Sequence, residues 1–234
     1  MEKEFKPLIL VPTYNEALNI KFFLNEIFKF CPDINVLIID DNSPDGTAEI
    51  VHQMCDKRIY ILKRTKKSGL ASAYIEGFKK GIDLGFNQFI EMDADFSHKP
   101  EYLPVMLENL KKYDFVIGSR NIKGGSVENW SVLRNFISKA GSLYSKIVLW
   151  CPINDLTGGF NGWNIDVVNA VGLDNIISKG YSFQIELKYR AYKKGFKYIE
   201  FPICFPDRKY GESKMDKNIF FEAMKNVIKI RFSK

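Results

Sequence analysis

Asp93 and Asp95 are separated by a single residue in Glu91-Met92-Asp93-Ala94-Asp95-Phe96-Ser97, directly after an apolar run. Two carboxylates at i and i+2 beyond a strand end can converge on one divalent cation. They leave its other positions to water and phosphate oxygens, as Mg²⁺ prefers. A solvated Asp-rich turn has the same composition, so the pair gains meaning only from its neighbours. A second acidic stretch, Asp40-Asp41-Asn42-Ser43-Pro44-Asp45-Gly46-Thr47, closes another apolar run. Asp45 and Thr47 suit a helix start after a proline turn. Asp40 and Asp41 precede that turn and cannot both be caps, so at least one is expected to hydrogen-bond a base or ribose. A third run ends in Val11-Pro12-Thr13-Tyr14-Asn15-Glu16. Neither G-x-G-x-x-G after the first strand nor G-x-x-x-x-G-K-[ST] occurs, so a metal and basic side chains must handle any phosphates.

These segments share a site only if the elements before them lie side by side. Leu8–Val11, Val36–Ile39, Ile59–Leu62, Phe89–Met92 and Phe115–Ile117 have strand length and composition. Between the first two, Ile20, Phe23, Leu24, Ile27 and Phe28 recur at helical spacing, and Thr47–Cys55, Leu70–Asp83 and Glu101–Lys111 read as further helices. The alternation predicts a doubly wound, mainly parallel α/β sheet with helices on both faces, whose strand carboxyl ends form one crevice.

Beyond Arg120, residues 121–129 are Gly-rich and polar, too irregular for a strand, and are expected as a mobile loop. In the next helix, Leu133, Phe136, Ile137, Ala140, Leu143, Tyr144 and Ile147 form one apolar stripe, with Arg134, Ser138, Lys139 and Ser142 off it. A strand or turn near Gly159–Trp163, a helix from about Ser182 to Lys193, a strand Tyr198–Phe201 and a loop Cys204–Lys214 follow. The last element is a basic helix, Asp216–Phe232, with Phe220, Met224, Val227 and Ile228 on one side. No linker or repeat interrupts the 234 residues, so one domain is expected, divided near residue 120 into two functional halves.

The balance of 34 Lys+Arg against 28 Asp+Glu gives a net charge of +6. That suits an anionic ligand or an anionic membrane surface, and does not single out nucleic acid. Cys31, Cys55, Cys151 and Cys204 are far apart and only two histidines are present. Neither a zinc site nor a disulfide framework is indicated, and a reducing, cytosolic setting is the expectation. No targeting stretch or membrane span is read from the apolar runs.

Together the segments PTYNE (12–16), IIDDNSPDGT (38–47), DAD with its following S-H-K-P (93–100), GSR (118–120), DLTGGF (155–160) and R-x-x-G-x-S-K (208–214) resemble the inverting GT-A glycosyltransferases of family 2. Within that family the chain is most similar to the dolichyl- or polyprenyl-phosphate mannosyltransferases, over roughly residues 7 to 215. The resemblance implies a GT-A, Rossmann-like fold with amphipathic C-terminal helices. It implies transfer of mannose from GDP-mannose to a polyprenyl or dolichyl phosphate on the cytosolic face of a membrane. Pro12, Tyr14, Glu16, Ile39 and Asp41 would surround the nucleoside, and Asp93, Ala94 and Asp95 the diphosphate with Mg²⁺ or Mn²⁺. Some family members have Gln where this chain has Ser97. Arg208 and Lys214 match a basic pair that closes over the diphosphate from a mobile loop; a merely solvated basic loop is the plainer reading.

Arg120 and Arg134 match positions associated with the acceptor phosphate, with Ser138 one helical turn after Arg134 on the same face. For Arg134 an exposed helix charge is equally compatible. The helices at 133–149 and at the tail resemble membrane-surface elements of the family, although a wide apolar stripe also suits a core. Attachment would then be by adsorption or through a small membrane-anchoring subunit. His98 is expected at a helix start, not as a base, while Trp130 and Trp163 suit core or acceptor contacts alike. UDP-glucose donors, a polysaccharide acceptor, or a non-catalytic nucleotide-binding subunit are the alternatives. Retention of Asp93, Asp95, Arg208 and Lys214 together argues against the last.

Overall fold

A computed structural model describes residues 4–178, 180, 182–207 and 217–232, with the side chains of 217–223 left out. The chain runs β1 (Pro7–Thr13), α1 (Ile20–Phe30), β2 (Asn35–Asp40), α2 (Thr47–Gln53), β3 (Ile59–Lys63), α3 (Leu70–Asp83), β4 (Gln88–Glu91) and α4 (Leu103–Leu110). It continues with β5 (Phe115–Ser119), β6 (Ser126–Glu128), α5 (Val132–Leu149), β7 (Asn161–Asn164), α6 (Ile165–Val171), α7 (Ser182–Lys193), β8 (Tyr198–Pro202), β9 (Cys204–Pro206) and α8 (Lys217–Phe232). Seven strands form one sheet in the order β3-β2-β1-β4-β7-β5-β8. All its pairings are parallel except those of β7, which is antiparallel to both β4 and β5.

Period-two alternation divides the core. Leu8, Leu10, Leu37 and Ile39 pack with α3 on one face, and Ile9, Val11, Val36 and Ile38 pack with α1 on the other, all fully buried. Of the α1 residues at helical spacing, Ile20, Phe23, Leu24 and Ile27 are buried, each contributing about 1.5–3 kcal/mol on transfer from water, while Phe28 is half-buried. Helix α3 lies close to the sheet because its contact residues include Gly81: a Cβ there would stand 2.6 Å from Phe89 Cε1 and 2.8 Å from Leu8 Cδ2.

The irregularity expected for 121–129 is corrected in part. Residues Ser126–Glu128 pair in parallel with Cys204–Pro206, at the front of the segment also expected to be a loop. The polar sequence hid this strand because β6 lies in a small two-stranded sheet with little burial. The strand-or-turn near Gly159–Trp163 is β7, inserted in the middle of the main sheet, where Trp163 is fully buried. The stripe on α5 is split: Leu133, Phe136, Leu143 and Ile147 are exposed, Ile137, Ala140 and Tyr144 are half-buried with Tyr144 packed against the core, and Ser142, Ser145 and Leu149 are the buried residues. On α8, Val227 is buried while Ile228, expected on the same side, is exposed.

Candidate active site at the carboxyl edge of the sheet

Parallel register brings three loops to one edge. Thr13 pairs with Asp40, and Leu10 with Glu91, so the segments after β1, β2 and β4 leave the sheet together. Each contains a residue in left-handed backbone conformation: Asn15 (φ 62°), Asn42 (φ 58°) and Phe96 (φ 64°). For a bulky residue such as Phe96 this conformation is strained, and such strain collects at functional sites.

Of the two adjacent aspartates, Asp40 is spent inside the protein. Its Oδ1 accepts from Thr13 Oγ1 (3.0 Å) and Ser43 Oγ (2.5 Å), and its Oδ2 from Ser43 N (2.9 Å). Asp41 is paired with the buried guanidinium of Arg64, which also bonds Ser72 and reaches Glu76 at 2.9 and 3.1 Å. Arg64 was invisible as a site residue because it belongs to no motif; its signal was its place just past β3, on the same edge. Tyr14 lies beneath the Lys67 ammonium, 3.5 Å from its ring centre. Glu16 accepts from Asn19 Nδ2 at 3.0 Å and donates its backbone N–H to Thr47 Oγ1 at 3.0 Å. Asp45 stands at the helix start expected of it, one residue before the N-cap Gly46, accepting from Thr47 N and Oγ1 and from Ala17 N. Burial opposes ionisation of Asp45, yet these bonds hold its carboxyl below the usual range.

Around the paired carboxylates, Asp95 Oδ1 accepts from Ser97 N (3.0 Å) and Ser97 Oγ (2.5 Å), while Tyr74 reaches Asp93 Oδ1 at 3.4 Å. His98 is buried between Phe160 and Phe205, and its Nδ1 accepts from the backbone N–H of Asp93 at 2.9 Å. It shapes the aspartate loop by this contact. Among the described residues, no three His, Cys, Asp or Glu side chains group to hold a metal. Two carboxylates one residue apart are a donor set suited to Mg²⁺ or Mn²⁺, which are commonly held by one or two carboxylates plus substrate phosphates.

Below this edge, Glu91 is fully buried and accepts from Asn161, Trp163 and Gln184. Burial pushes its carboxyl up to about 7 against those bonds. Lys188, also fully buried, donates to the carbonyls of Asp155 (2.8 Å), Leu156 (3.3 Å) and Gly158 (2.6 Å), and burial brings its ammonium down to about 8. Three carbonyls converging on one ammonium curl the loop 155–160. A Cβ at Gly158 would stand 3.1 Å from the Asp155 carboxylate, so the glycine lets the turn close tightly on that carboxylate.

Arg120 and Arg134 meet at one cluster, with guanidinium carbons 5.8 and 4.0 Å from the Trp130 ring centre. Arg120 is committed to Asp155 through Nε and Nη2, and its Nη2 also donates to Thr157 Oγ1 at 3.0 Å. Thr157 in turn shares a 3.0 Å hydrogen bond with Ser142, two helical turns beyond Arg134 and one beyond Ser138. Arg134 Nη1 donates to Asp207 Oδ1 at 2.6 Å, so it is no free helix charge. Sequence reasoning missed Lys188 and Asp207, and quoted Asp155 within a motif without giving it a part. Arg208 and Lys214 lie outside the described residues, as does most of the loop they were expected to occupy. Trp163 is core, its Nε1 donating to Glu91 at 3.0 Å.

Residues 8–172 match the family described as Glycosyl transferase family 2. The chain is 43% identical over 222 residues to an undecaprenyl-phosphate mannosyltransferase of Micrococcus luteus, covering 94% of this chain and 91% of that protein. It is 39% identical over 223 residues to a polyprenol monophosphomannose synthase of Mycolicibacterium smegmatis, covering 94% and 84%. Among solved structures, glucosyl-3-phosphoglycerate synthase of Mycobacterium tuberculosis with Mn²⁺, UDP and glucosyl-3-phosphoglycerate superposes with a TM-score of 0.69 at 12% identity, over 97% of this chain and 78% of that one. A mannosyltransferase of Pyrobaculum calidifontis with GDP-Man and Mn²⁺ gives 0.61 at 15% identity, over 89% and 58%. At these identities the likeness is one of fold, the GT-A α/β architecture.

Proposed function

We propose that this chain, which belongs to glycosyl transferase family 2, moves mannose from GDP-mannose to the phosphate of a polyprenyl or dolichyl lipid, with inversion at the anomeric carbon. The observation that carries this reading is the 43% identity to an undecaprenyl-phosphate mannosyltransferase across 94% of the chain.

Pro12, Tyr14, Glu16 and Asp41 surround the nucleoside in this reading, with Ile39, whose side chain is buried in the core, contributing through its backbone alone, and Asp93, Ala94 and Asp95 face the diphosphate. Asp93 and Asp95 would hold Mg²⁺ or Mn²⁺, which when bound neutralises charge on the departing diphosphate. Arg208 and Lys214 add cationic charge to the same leaving group. Arg134 and Ser138 receive the acceptor phosphate, and Arg120, whose Nε and Nη2 are taken by Asp155, adds positive charge beside them. Guanidinium groups suit that task because they grip phosphate oxygens in a planar fork without taking protons.

A lipid phosphate near neutral pH already presents an anionic oxygen, so no general base is required. That oxygen bonds to the anomeric carbon as the bond from this carbon to the diphosphate breaks, and the electron pair leaves with the nucleoside diphosphate. The protein's work is to hold the two phosphorylated substrates in line and keep water out.

The exposed apolar ridge on α5 supports peripheral contact with a membrane, where such an acceptor resides. No helix among the described residues is long and apolar enough to cross a bilayer. The test is incubation with labelled GDP-mannose, UDP-glucose and other nucleotide sugars together with a short polyprenyl phosphate, followed by solvent extraction. Label entering the lipid from GDP-mannose is the expected result. Label from UDP-glucose alone would replace the donor, and absence of lipid product from every donor would end the reading.

A further inference from the structure

Trp130 Nε1 and Arg134 Nε are both buried, and neither donates a hydrogen bond. Buried donors of this kind are rare, because each gives up its hydration and receives nothing in exchange. These two belong to one cluster: the Arg134 guanidinium carbon lies 4.0 Å from the Trp130 ring centre, and Phe205 meets the same ring edge-on at 5.6 Å. The cluster adjoins the aspartate loop, since Phe205 also touches His98 at 5.4 Å and His98 Nδ1 accepts from Asp93 N. An anionic group already approaches this guanidinium, the Asp207 carboxylate at 2.6 Å from Nη1. Asp207 is part-exposed at the end of its strand segment, and it leaves Nε and the indole N–H unserved.

We propose that the indole N–H of Trp130 is a ligand of the acceptor's phosphate, donating to it beside Arg134. This deepens the reading above and rests on its premise that the acceptor is a lipid monophosphate. A phosphate oxygen supplies several lone pairs in one small volume, so a single group can satisfy the indole and the guanidinium together, which one carboxylate on Nη1 does not do. The other two tryptophans are unsuited: Trp163 Nε1 is bound to Glu91, and Trp150 is exposed at the far end of α5.

Trp130→Phe keeps a ring beneath Arg134 and against Phe205 while deleting the N–H. With GDP-mannose as donor, the KM for a short polyprenyl phosphate should rise about five- to twenty-fold, with the donor KM and the melting temperature close to wild type. Independently, ¹⁵N-indole-labelled wild-type protein titrated with farnesyl monophosphate should show the Trp130 resonance moving downfield. That resonance is identified by its absence from Trp130→Phe, and farnesol should leave it in place. An unchanged acceptor KM overturns the proposal. So does a raised KM with a stationary resonance, which assigns Trp130 to packing, or an equal response to farnesol, which assigns it to the lipid chain. If the variant fails to fold, the Trp130 resonance is assigned by elimination, with Trp150→Phe identifying the exposed indole and the Glu91-bonded indole of Trp163 protected from solvent exchange, and the wild-type titration then decides. Normal transfer with a silent indole removes this inference only, whereas absence of both transfer and phosphate binding removes the functional reading with it.

Discussion

The guanidinium of Arg120 lies as a fork across the carboxylate of Asp155, with Nε 2.8 Å from Oδ2 and Nη2 2.7 Å from Oδ1. The Arg120 backbone N–H donates to the same Oδ2 at 2.9 Å, and the Asp155 side chain is fully buried. This pair joins the end of β5 to the loop 155–160, and through Thr157 and Ser142 it reaches α5. Replacing a buried pair by apolar groups can be neutral, but removing one partner strands the other charge. Asp155→Ala is therefore expected to cost about 3–5 kcal/mol of stability by urea unfolding. A midpoint within error of wild type would show that Arg120 finds another partner.

The same pair sets a pH dependence. Burial alone would raise the Asp155 carboxyl, but the charge and hydrogen bonds of Arg120, with Lys188 beyond, hold it well below the usual carboxylate range. A carboxyl depressed in the folded state contributes stability above its unfolded pKa and loses it as pH falls through the folded value. The stability gap between wild type and Asp155→Asn should hold steady from about pH 5 to 7 and shrink below about pH 4, the unfolded carboxylate range. A gap unchanged down to pH 2 would assign the acid sensitivity to other groups.

Asp95 is the sharper test of the proposed donor site. Its Oδ1 is oriented by Ser97, so Asp95→Asn is nearly isosteric and loses mainly charge. Transfer is expected to fall by about two orders of magnitude or more in that variant, and chelation should abolish it in wild type. Full turnover in excess chelator would require a purely cationic mechanism carried by side chains.

The strands β1, β2, β4 and β5 and helices α1 and α3 were legible because elements with a buried face write their period into the sequence, and the half-buried β3 was legible from its apolar composition. Residues such as Ile20, Phe23, Leu24 and Ile27 have one face to bury and bury it. Strand β6 was not legible, since Ser126–Glu128 pairs by backbone alone with little burial. Nor was the direction of β7, which depends on chain return between β4 and β5. The motifs pointed to Asp41 and Arg120, but their partners Arg64 and Asp155 are separated from them by 23 and 35 residues. Spacing cannot reveal such pairs, because they are made by topology. The α5 stripe misleads in another way: helical periodicity shows that a face is apolar and cannot show whether protein or lipid will cover it.

Arg134 tests the acceptor half. Its Nη1 is held by Asp207 and its guanidinium stacks on Trp130, so the group is preorganised near the carboxyl edge. Arg134→Ala should weaken acceptor use by about 1.5–3 kcal/mol in kcat/KM, with the donor KM little changed. Arg134→Lys should recover part, since charge remains and the fork is lost. Equal damage to donor and acceptor kinetics would move the acceptor phosphate elsewhere.

Membrane contact is the last expectation, and it follows from which face α5 leaves uncovered. Leu133, Phe136, Leu143, Ile147 and Trp150 recur every three to seven residues along one side; Phe136 is 69%, Ile147 62% and Trp150 81% exposed. Single exposed hydrophobes are ordinary, whereas a row of them along one helix marks a surface that another phase or molecule covers. Helix α8 packs beside α5, with Tyr144 donating to the Met224 carbonyl at 3.2 Å, and adds exposed Ile228 and Phe232. Exposed Lys139, Lys225 and Lys229 on the two helices provide positive charge for anionic headgroups. Flotation with anionic liposomes should recover wild-type protein at low salt, and less of it at high salt as the charge contribution is screened. Phe136→Ser with Leu143→Ser should reduce partitioning by about tenfold or more, because each side chain gives up apolar burial in lipid, while the melting temperature stays put since neither packs in the core. If the double variant floats like wild type, the ridge is not the membrane face. If wild-type protein fails to float at any salt, attachment must come from a partner subunit.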